Sequence, residues 1–80
     1  MKIKVKLAKR EEKEVKITTE NIRLDAALKL SNAISTGGQA KMIIQDSFVK
    51  VNGEICTLRG KKLIDGDTFE FENKIYKIVR

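Results

Sequence analysis

Residues 36–55 have the sequence TGGQAKMIIQDSFVKVNGEI, which contains the clearest helix and hairpin patterns of the chain. Its first four residues, Thr36–Gln39, match a capping box, in which a hydroxyl caps a helix and a glutamine three residues later reaches back to the cap. Apolar residues then recur with helical spacing, at Ala40, Ile43 and Ile44. We therefore predict a short helix that ends near Asp46.

The second half of this stretch predicts a β-hairpin. Asn52-Gly53 lies between apolar alternations in residues 49–55, which is the strongest short-range hairpin pattern. A two-residue loop would place Val51 opposite Glu54, whereas a three-residue loop with a bulge would pair Val51 with Ile55. We expect the second register because it keeps both apolar side chains on one face of the hairpin.

Another hairpin is predicted at the N-terminus, over residues 1–18. Residues 2–7 and 14–17 alternate apolar and charged side chains with the period of a strand. Residues 8–13 between them are polar enough to form the loop.

A first helix is predicted over residues 20–31. Residues 18–20, Thr-Thr-Glu, supply a hydroxyl cap and an acidic side chain for the first turn, and Ser31-Asn32 closes the helix. Its apolar residues have mixed three- and four-residue spacings: Ile22, Leu24, Ala27, Leu28 and Leu30.

The last third of the chain has the pattern of short strands. A basic loop over residues 58–64 is followed by a turn at 65–67, a strand at 68–71, a turn at 72–74 and a strand at 75–79. The whole order predicts an α+β fold. Two short helices pack on one side of a small, mainly antiparallel sheet, in one domain over residues 1–80.

Composition excludes several classes of protein. Eighty residues make one domain at most, because domains usually have roughly 100–150 residues. There is no histidine, and Cys56 is the only cysteine, so His-based catalysis and a zinc site are excluded. We expect no enzyme activity, no cofactor and no small-molecule substrate.

Localisation follows from the same features. A lone thiol without a secretory segment is typical of a reducing compartment, and no apolar run approaches the ~20 residues that span a bilayer. We expect a cytoplasmic protein that does not contact membranes.

The charge distribution indicates a polyanionic partner. The chain has 17 Lys and Arg against 11 Asp and Glu, a net charge of +6. The most one-sided stretch is residues 49–64, with four basic residues and one acidic residue. A basic surface attracts nucleic acid through counterion release and long-range steering, although lysines can also serve only solubility.

Short motifs follow one another in an order that resembles a known family. They are Arg23-Leu24-Asp25-x-x-Leu28, capped Thr36, Ala40-Lys41, Ile43-Ile44, Val49-x-Val51-Asn52-Gly53 and Gly66-Asp67. This succession, over roughly residues 20–72, resembles the S-four RNA-binding domain, named after ribosomal small-subunit protein four. Two motifs are most similar to the small stand-alone bacterial members of YaaA/YbcJ type: Gly37-Gly38-x-Ala40-Lys41 and Arg59-x-Gly-Lys61-Lys62-Leu63.

The resemblance implies that the two helices present one L-shaped face to RNA, and that the domain binds RNA without modifying it. One departure from the family pattern is that the Ser-Arg pair opening the second helix is replaced by Thr36-Gly37, so an expected phosphate-contacting arginine is absent. We expect Lys41, one turn later, to compensate in part. The candidate RNA-binding residues are Arg23, Thr36, Gly37, Gly38, Gln39, Lys41, Lys50, Asn52, Arg59, Lys61 and Lys62.

Two interpretations of Gly37-Gly38 are open. At a helix N-terminus, glycine lets a phosphate approach the backbone N–H groups, which would make an anion cradle. The same pair can simply form the tight turn between the helices. The resemblance favours the cradle.

Other polar and aromatic residues receive structural roles. Asp25 is expected to form a structural ion pair or cap, and Cys56 is a small apolar filler. Burial is expected for Phe48, Phe69 and Phe71, with Tyr76 as the exception, so no base-stacking platform is predicted.

We therefore predict a monomeric protein that recognises structured RNA, either ribosomal or transfer RNA, by its shape and backbone. Ribosome assembly or translation is the expected setting, with a ribosomal particle as a further partner. The alternative is a protein-interaction adaptor that uses the exposed edge of the N-terminal hairpin.

Overall fold

The computed structural model describes residues 11–80. These residues form seven strands and two helices, in the order β1 (Glu11–Lys16), β2 (Ile22–Arg23), α1 (Leu24–Leu30), α2 (Gly37–Gln45), β3 (Lys50–Val51), β4 (Glu54–Ile55), β5 (Lys62–Leu63), β6 (Thr68–Phe71) and β7 (Lys74–Val79).

Most strands belong to one five-stranded sheet with the order β1-β7-β6-β3-β4, and β2 pairs with β5 separately. Neighbouring strands are antiparallel except β1 and β7, which run parallel with Glu11 opposite Lys74 and Lys16 opposite Val79. A parallel pair needs a long connection, and here the intervening chain provides it. The predicted α+β fold with a mainly antiparallel sheet is confirmed.

The predicted N-terminal hairpin lies partly outside the described residues, because its first strand is residues 2–7. Its predicted loop over residues 8–13 is wrong at the C-terminal end, since residues 11–13 belong to β1. This strand pairs with β7. Alternation indicates which side chains of a strand are buried, here Val15, but it does not identify the neighbouring strand.

The first helix is shorter than the predicted span of residues 20–31. Residues 18–20 do not cap it; the N-cap is Arg23, which makes no side-chain cap hydrogen bond. Ile22 and Arg23 are extended because they pair with β5, where Leu63 lies opposite Ile22. Tertiary pairing therefore overrides the helical spacing of the apolar residues at the start of this segment.

The capping box of α2 is confirmed, with one change of partner. The Gln39 N–H donates to the Thr36 hydroxyl oxygen at 3.1 Å, and the Ser35 N–H donates to the Gln39 side-chain oxygen at 3.1 Å. The side chain of Gln39 therefore reaches one residue further back than in the usual box. The helix ends at Gln45 with Asp46 as its C-cap, near the predicted position.

Both helices end in a Schellman motif, which turns the chain sharply. Ser47 has a φ of 67°, and the Phe48 N–H donates back to the Ile43 carbonyl oxygen at 3.0 Å. In α1 the left-handed residue is Asn32, with a φ of 63°, so the predicted closure of the first helix there is confirmed. The turn at Asn32 changes the chain direction between α1 and α2, which pack against each other, and the turn at Ser47 leads from α2 to β3.

The expected register of the β3–β4 hairpin is wrong. Val51 lies opposite Glu54 and Lys50 opposite Ile55, so the loop is the two-residue Asn52-Gly53. Positive φ values of 51° and 89° at these two positions match a type I′ turn, whose twist fits that of the strands. Consequently Ile55 is exposed rather than buried beside Val51.

One apolar core joins the helices to the sheet. Leu24, Leu28 and Ile44 of the helices pack in the same cluster as the buried side chains of β6 and β7. Phe69 and Tyr76 lie opposite each other on these strands and stack with ring centroids 4.8 Å apart. The helices are therefore anchored by hydrophobic contacts on their inner faces.

The expected burial of the aromatic residues is confirmed at two positions. Phe69 and Phe71 are buried, as predicted. Tyr76 is also buried, which corrects its treatment as the exception, because β7 points it inward opposite Phe69. Phe48 is 63% exposed, contrary to expectation. It follows the left-handed turn that ends α2, and the chain has not yet entered β3 at this point.

We predict opposite effects of alanine at two glycines. Gly53→Ala should lower the free energy of unfolding by about 1 kcal/mol or more, because the turn needs a positive φ there. Gly38→Ala should raise it by up to about 1 kcal/mol, because residue 38 is helical and a Cβ meets no atom within 4 Å. Urea denaturation of both variants measures the difference, and equal effects would contradict the type I′ turn.

Candidate nucleic-acid interface

The N-terminus of α1 is closed by the backbone of residues 58–62, the first part of the loop predicted over residues 58–64; this shorter segment is called the basic loop below. The Leu24 N–H donates to the Lys61 carbonyl oxygen at 2.8 Å, and the Asp25 N–H donates to the Arg59 carbonyl oxygen at 3.1 Å. These bonds satisfy two of the donors that a helix leaves free at its start. The basic loop is therefore fixed to α1, although the bonded residues are more than thirty positions apart in sequence.

Arg23 is held beside this loop by two contacts. Its Nη2 atom lies 3.2 Å from the Asp25 carboxylate, and the other carboxylate oxygen accepts the Ala26 N–H at 2.8 Å. The guanidinium also lies over Gly60, where a Cβ would be 3.7 Å from Nη2. The predicted structural role of Asp25 is confirmed, and the side chain of Arg23 is still 54% exposed.

A shallow groove, called the interhelical groove below, connects α1 with the start of α2. Its lining residues are Arg23, Asp25, Ala26, Lys29 and Gly37. Lys29 was not among the candidate residues in the sequence. Its position, four residues after Asp25 and outside the apolar pattern of the helix, places it on the same side of α1. The groove therefore has two cations, one at each end of α1.

The N-terminus of α2 is open, in contrast to that of α1. Gly37 and Gly38 are exposed, and a Cβ at either position would have no neighbouring atom within 4 Å. Thr36 and Gln39 use their side chains for the cap. The Gln39 N–H is bonded to Thr36, so the backbone N–H groups of Gly37 and Gly38 are the ones accessible beside the interhelical groove, where a helix dipole favours an anion.

The other predicted cations lie near the interhelical groove or on the surfaces next to it. Lys62 lies directly opposite Arg23 in the β2–β5 pair, so the two side chains share a face. Lys61 borders the neighbouring surface of the β3–β4 hairpin. Lys41 is exposed one helical turn after Gly37.

Two other candidate residues have different surroundings. Lys50 lies opposite Glu70 on the sheet, on the face away from the buried Val51. The Asn52 side chain accepts the Thr68 N–H at 3.0 Å and donates to the Asp67 carboxylate at 3.2 Å. The structure does not bring Lys50 to the interhelical groove, and it gives Asn52 a role in holding the hairpin turn.

Two kinds of site are not found in the described part of the chain. Residues 11–80 contain no group of three or more His, Cys, Asp or Glu side chains that could hold a metal ion. None of the helices in this range is long and apolar enough to cross a membrane.

These features define a small α+β domain in which a helix pair and a basic loop share one surface. The sequence model of the S4 domain family matches residues 15–79. The chain therefore belongs to the S4 domain family, which confirms the resemblance found in the sequence.

Similar proteins support this assignment. "Probable ribosome maturation protein RlbA" from Bacillus subtilis (strain 168) is 43% identical over 58 residues, which cover 72% of this chain and 82% of the relative. The solution structure of YbcJ from E. coli, described as revealing an αL motif involved in RNA binding, matches with a TM-score of 0.63. It covers all of both chains at 24% identity, so this likeness shows the fold alone.

We predict that the side chain of Asn52 stabilises the domain. Asn52→Gly keeps the positive φ accessible but removes the hydrogen bonds to Asp67 and Thr68. The free energy of unfolding should fall by about 1 kcal/mol more than in Asn73→Gly. Asn73 is a matched control because it also has a positive φ in a turn. Equal urea midpoints for the two variants would contradict this role.

Proposed function

We propose that the protein binds structured RNA, ribosomal or transfer RNA, through the interhelical groove and the basic loop. The observation that supports this proposal is that Arg23 and Lys29 line the interhelical groove, while the loop that carries Arg59 and Lys61 is bonded to the start of α1. Backbone hydrogen bonds and the guanidinium contact hold Arg23 and the loop together. A fixed cluster of cations beside an open helix N-terminus is suited to the phosphates of a folded RNA.

The groups in this surface suit binding rather than chemistry. Catalysis of acid–base or nucleophilic type needs paired titratable groups, and the interhelical groove contains a single carboxylate, which is already bonded to Arg23. We therefore propose a domain without enzyme activity. Recognition then rests on the shape and the backbone of the RNA.

The proposed setting is ribosome assembly or translation in the cytoplasm. The named relative from Bacillus subtilis is a probable ribosome maturation protein. The match to the S4 domain family spans residues 15–79, which include all residues of the surface described above. We propose that the domain acts as a monomer on ribosomal RNA or a ribosomal particle.

A second candidate function is protein docking, which exposed apolar residues favour. Ile55, Leu58 and Ile64 are each more than half exposed. The first two line a groove beside β4, which is an edge of the sheet formed by the described residues. Apolar groups of this kind are used in protein contacts more than in phosphate contacts.

We predict that neutralising two cations of the proposed surface weakens RNA binding. The double variant Lys29→Gln/Lys61→Gln should reduce affinity for a folded RNA hairpin by about tenfold, because two charge-assisted contacts are lost. The slope of log affinity against log salt should fall by about one per lost phosphate contact. Fluorescence anisotropy across salt concentrations measures both quantities.

The matched control is Lys16→Gln/Lys77→Gln, which makes the same change of net charge on the outer face of the sheet. Equal losses in the two double variants would show that only net charge matters. If the protein binds no nucleic acid more tightly than about 10⁻⁴ M at low salt, which is the weak limit of non-specific binding, the proposed function is refuted. If Leu58→Ser abolishes binding of a protein partner, that result would support the docking function instead.

A further inference from the structure

We propose that Asp25 is a positioning residue for RNA binding, which fixes the guanidinium of Arg23 at the mouth of the interhelical groove. This inference rests on the proposed function and deepens it. It assigns a functional role to an acidic side chain on a surface that otherwise attracts polyanions.

The carboxylate of Asp25 is itself firmly held. One oxygen accepts the Ala26 N–H at 2.8 Å, and the Asp25 N–H donates to the Arg59 carbonyl oxygen at 3.1 Å. The side chain of Asp25 is only 23% exposed. Its position is therefore set by α1 and by the basic loop together, before any RNA is bound.

Arg23 is held on two sides by this arrangement. Its Nη2 atom contacts the Asp25 carboxylate, while the flat guanidinium lies over Gly60, where no side chain intervenes. An arginine has five N–H donors in a planar fork, and the ion pair uses one end of that fork. The other donors stay available at a side chain that is 54% exposed.

Electrostatics and positioning predict opposite effects for the loss of this carboxylate. A negative charge in the interhelical groove repels RNA phosphates, so its simple removal would tighten binding. Loss of positioning would weaken binding, because Arg23 would have to be ordered when RNA binds. Ordering one side chain of this kind on binding weakens affinity by about two- to tenfold. The sign of the change therefore separates the two roles.

The test is Asp25→Asn in the full chain, titrated with the same folded RNA hairpin. Asparagine keeps an oxygen for the Ala26 N–H but removes the charge that holds Arg23. We expect affinity to fall about two- to tenfold. The control Glu12→Gln, an exposed acid on β1, makes the same change of net charge and should leave affinity unchanged or slightly higher.

Two further measurements identify the cause. In Arg23→Ala, adding Asp25→Asn should cause no further loss, because there is no guanidinium left to position. In the free protein, the side-chain Nη–H signals of Arg23 should exchange with solvent faster in Asp25→Asn than in the wild type, because Nη2 is the atom that contacts the carboxylate. This second readout does not require RNA.

The outcomes separate this inference from the proposed function. If the wild type binds RNA but Asp25→Asn binds as well as Glu12→Gln, the positioning role is refuted and the function stands. If the solvent exchange of the Arg23 side-chain N–H groups is unchanged in Asp25→Asn, the positioning role is refuted as well. If the wild type binds no RNA, both proposals fail. Weaker binding with faster exchange supports the positioning role.

Discussion

Two backbone hydrogen bonds hold the proposed binding surface together: those from Leu24 and Asp25 to the carbonyl oxygens of Lys61 and Arg59. They replace the side-chain cap that α1 lacks, so the helix and the basic loop stabilise each other. The β2–β5 pair continues this contact on the N-terminal side of α1. Without these bonds, the cations of α1 and of the loop would lie on independent segments, and ordering them would cost binding free energy.

The two helices have complementary roles in this arrangement. The donors at the start of α1 are used internally, so α1 contributes the side chains of Arg23 and Lys29. The start of α2 is capped by side chains but stays open around its two glycines, so it contributes backbone N–H groups. The Schellman turn at Asn32 brings these two ends to one groove. A shared surface of this kind suits a phosphate backbone better than a small ligand, because the groove is shallow and its lining is charged.

The sequence predicted best those features that depend on nearby residues. The α2 capping box and the turn residues of the β3–β4 hairpin are local, and each occurs where the pattern indicates.

Features set by distant contacts were predicted wrongly or missed. The start of α1 depends on pairing with β5, and the partner of β1 is the last strand of the chain. The hairpin register is fixed partly by bonds from Asn52 to residues 67 and 68, which apolar alternation cannot reveal. For the same reason, the sequence indicated the cations of the basic loop but not the position of Arg23 over Gly60, nor the place of Lys29 in the groove.

The proposed RNA-binding face consists of α1, the start of α2 and the basic loop. The most direct measurement is a titration of the ¹⁵N-labelled protein with a folded RNA hairpin, followed by the backbone amide signals. We expect the largest changes to fall together at residues 23–29, 36–41 and 59–62, while the amides of Lys50 and Lys77 on the outer face of the sheet change little. Changes centred on the outer sheet face, or on the exposed apolar groove beside β4, would show that RNA does not bind at the proposed face.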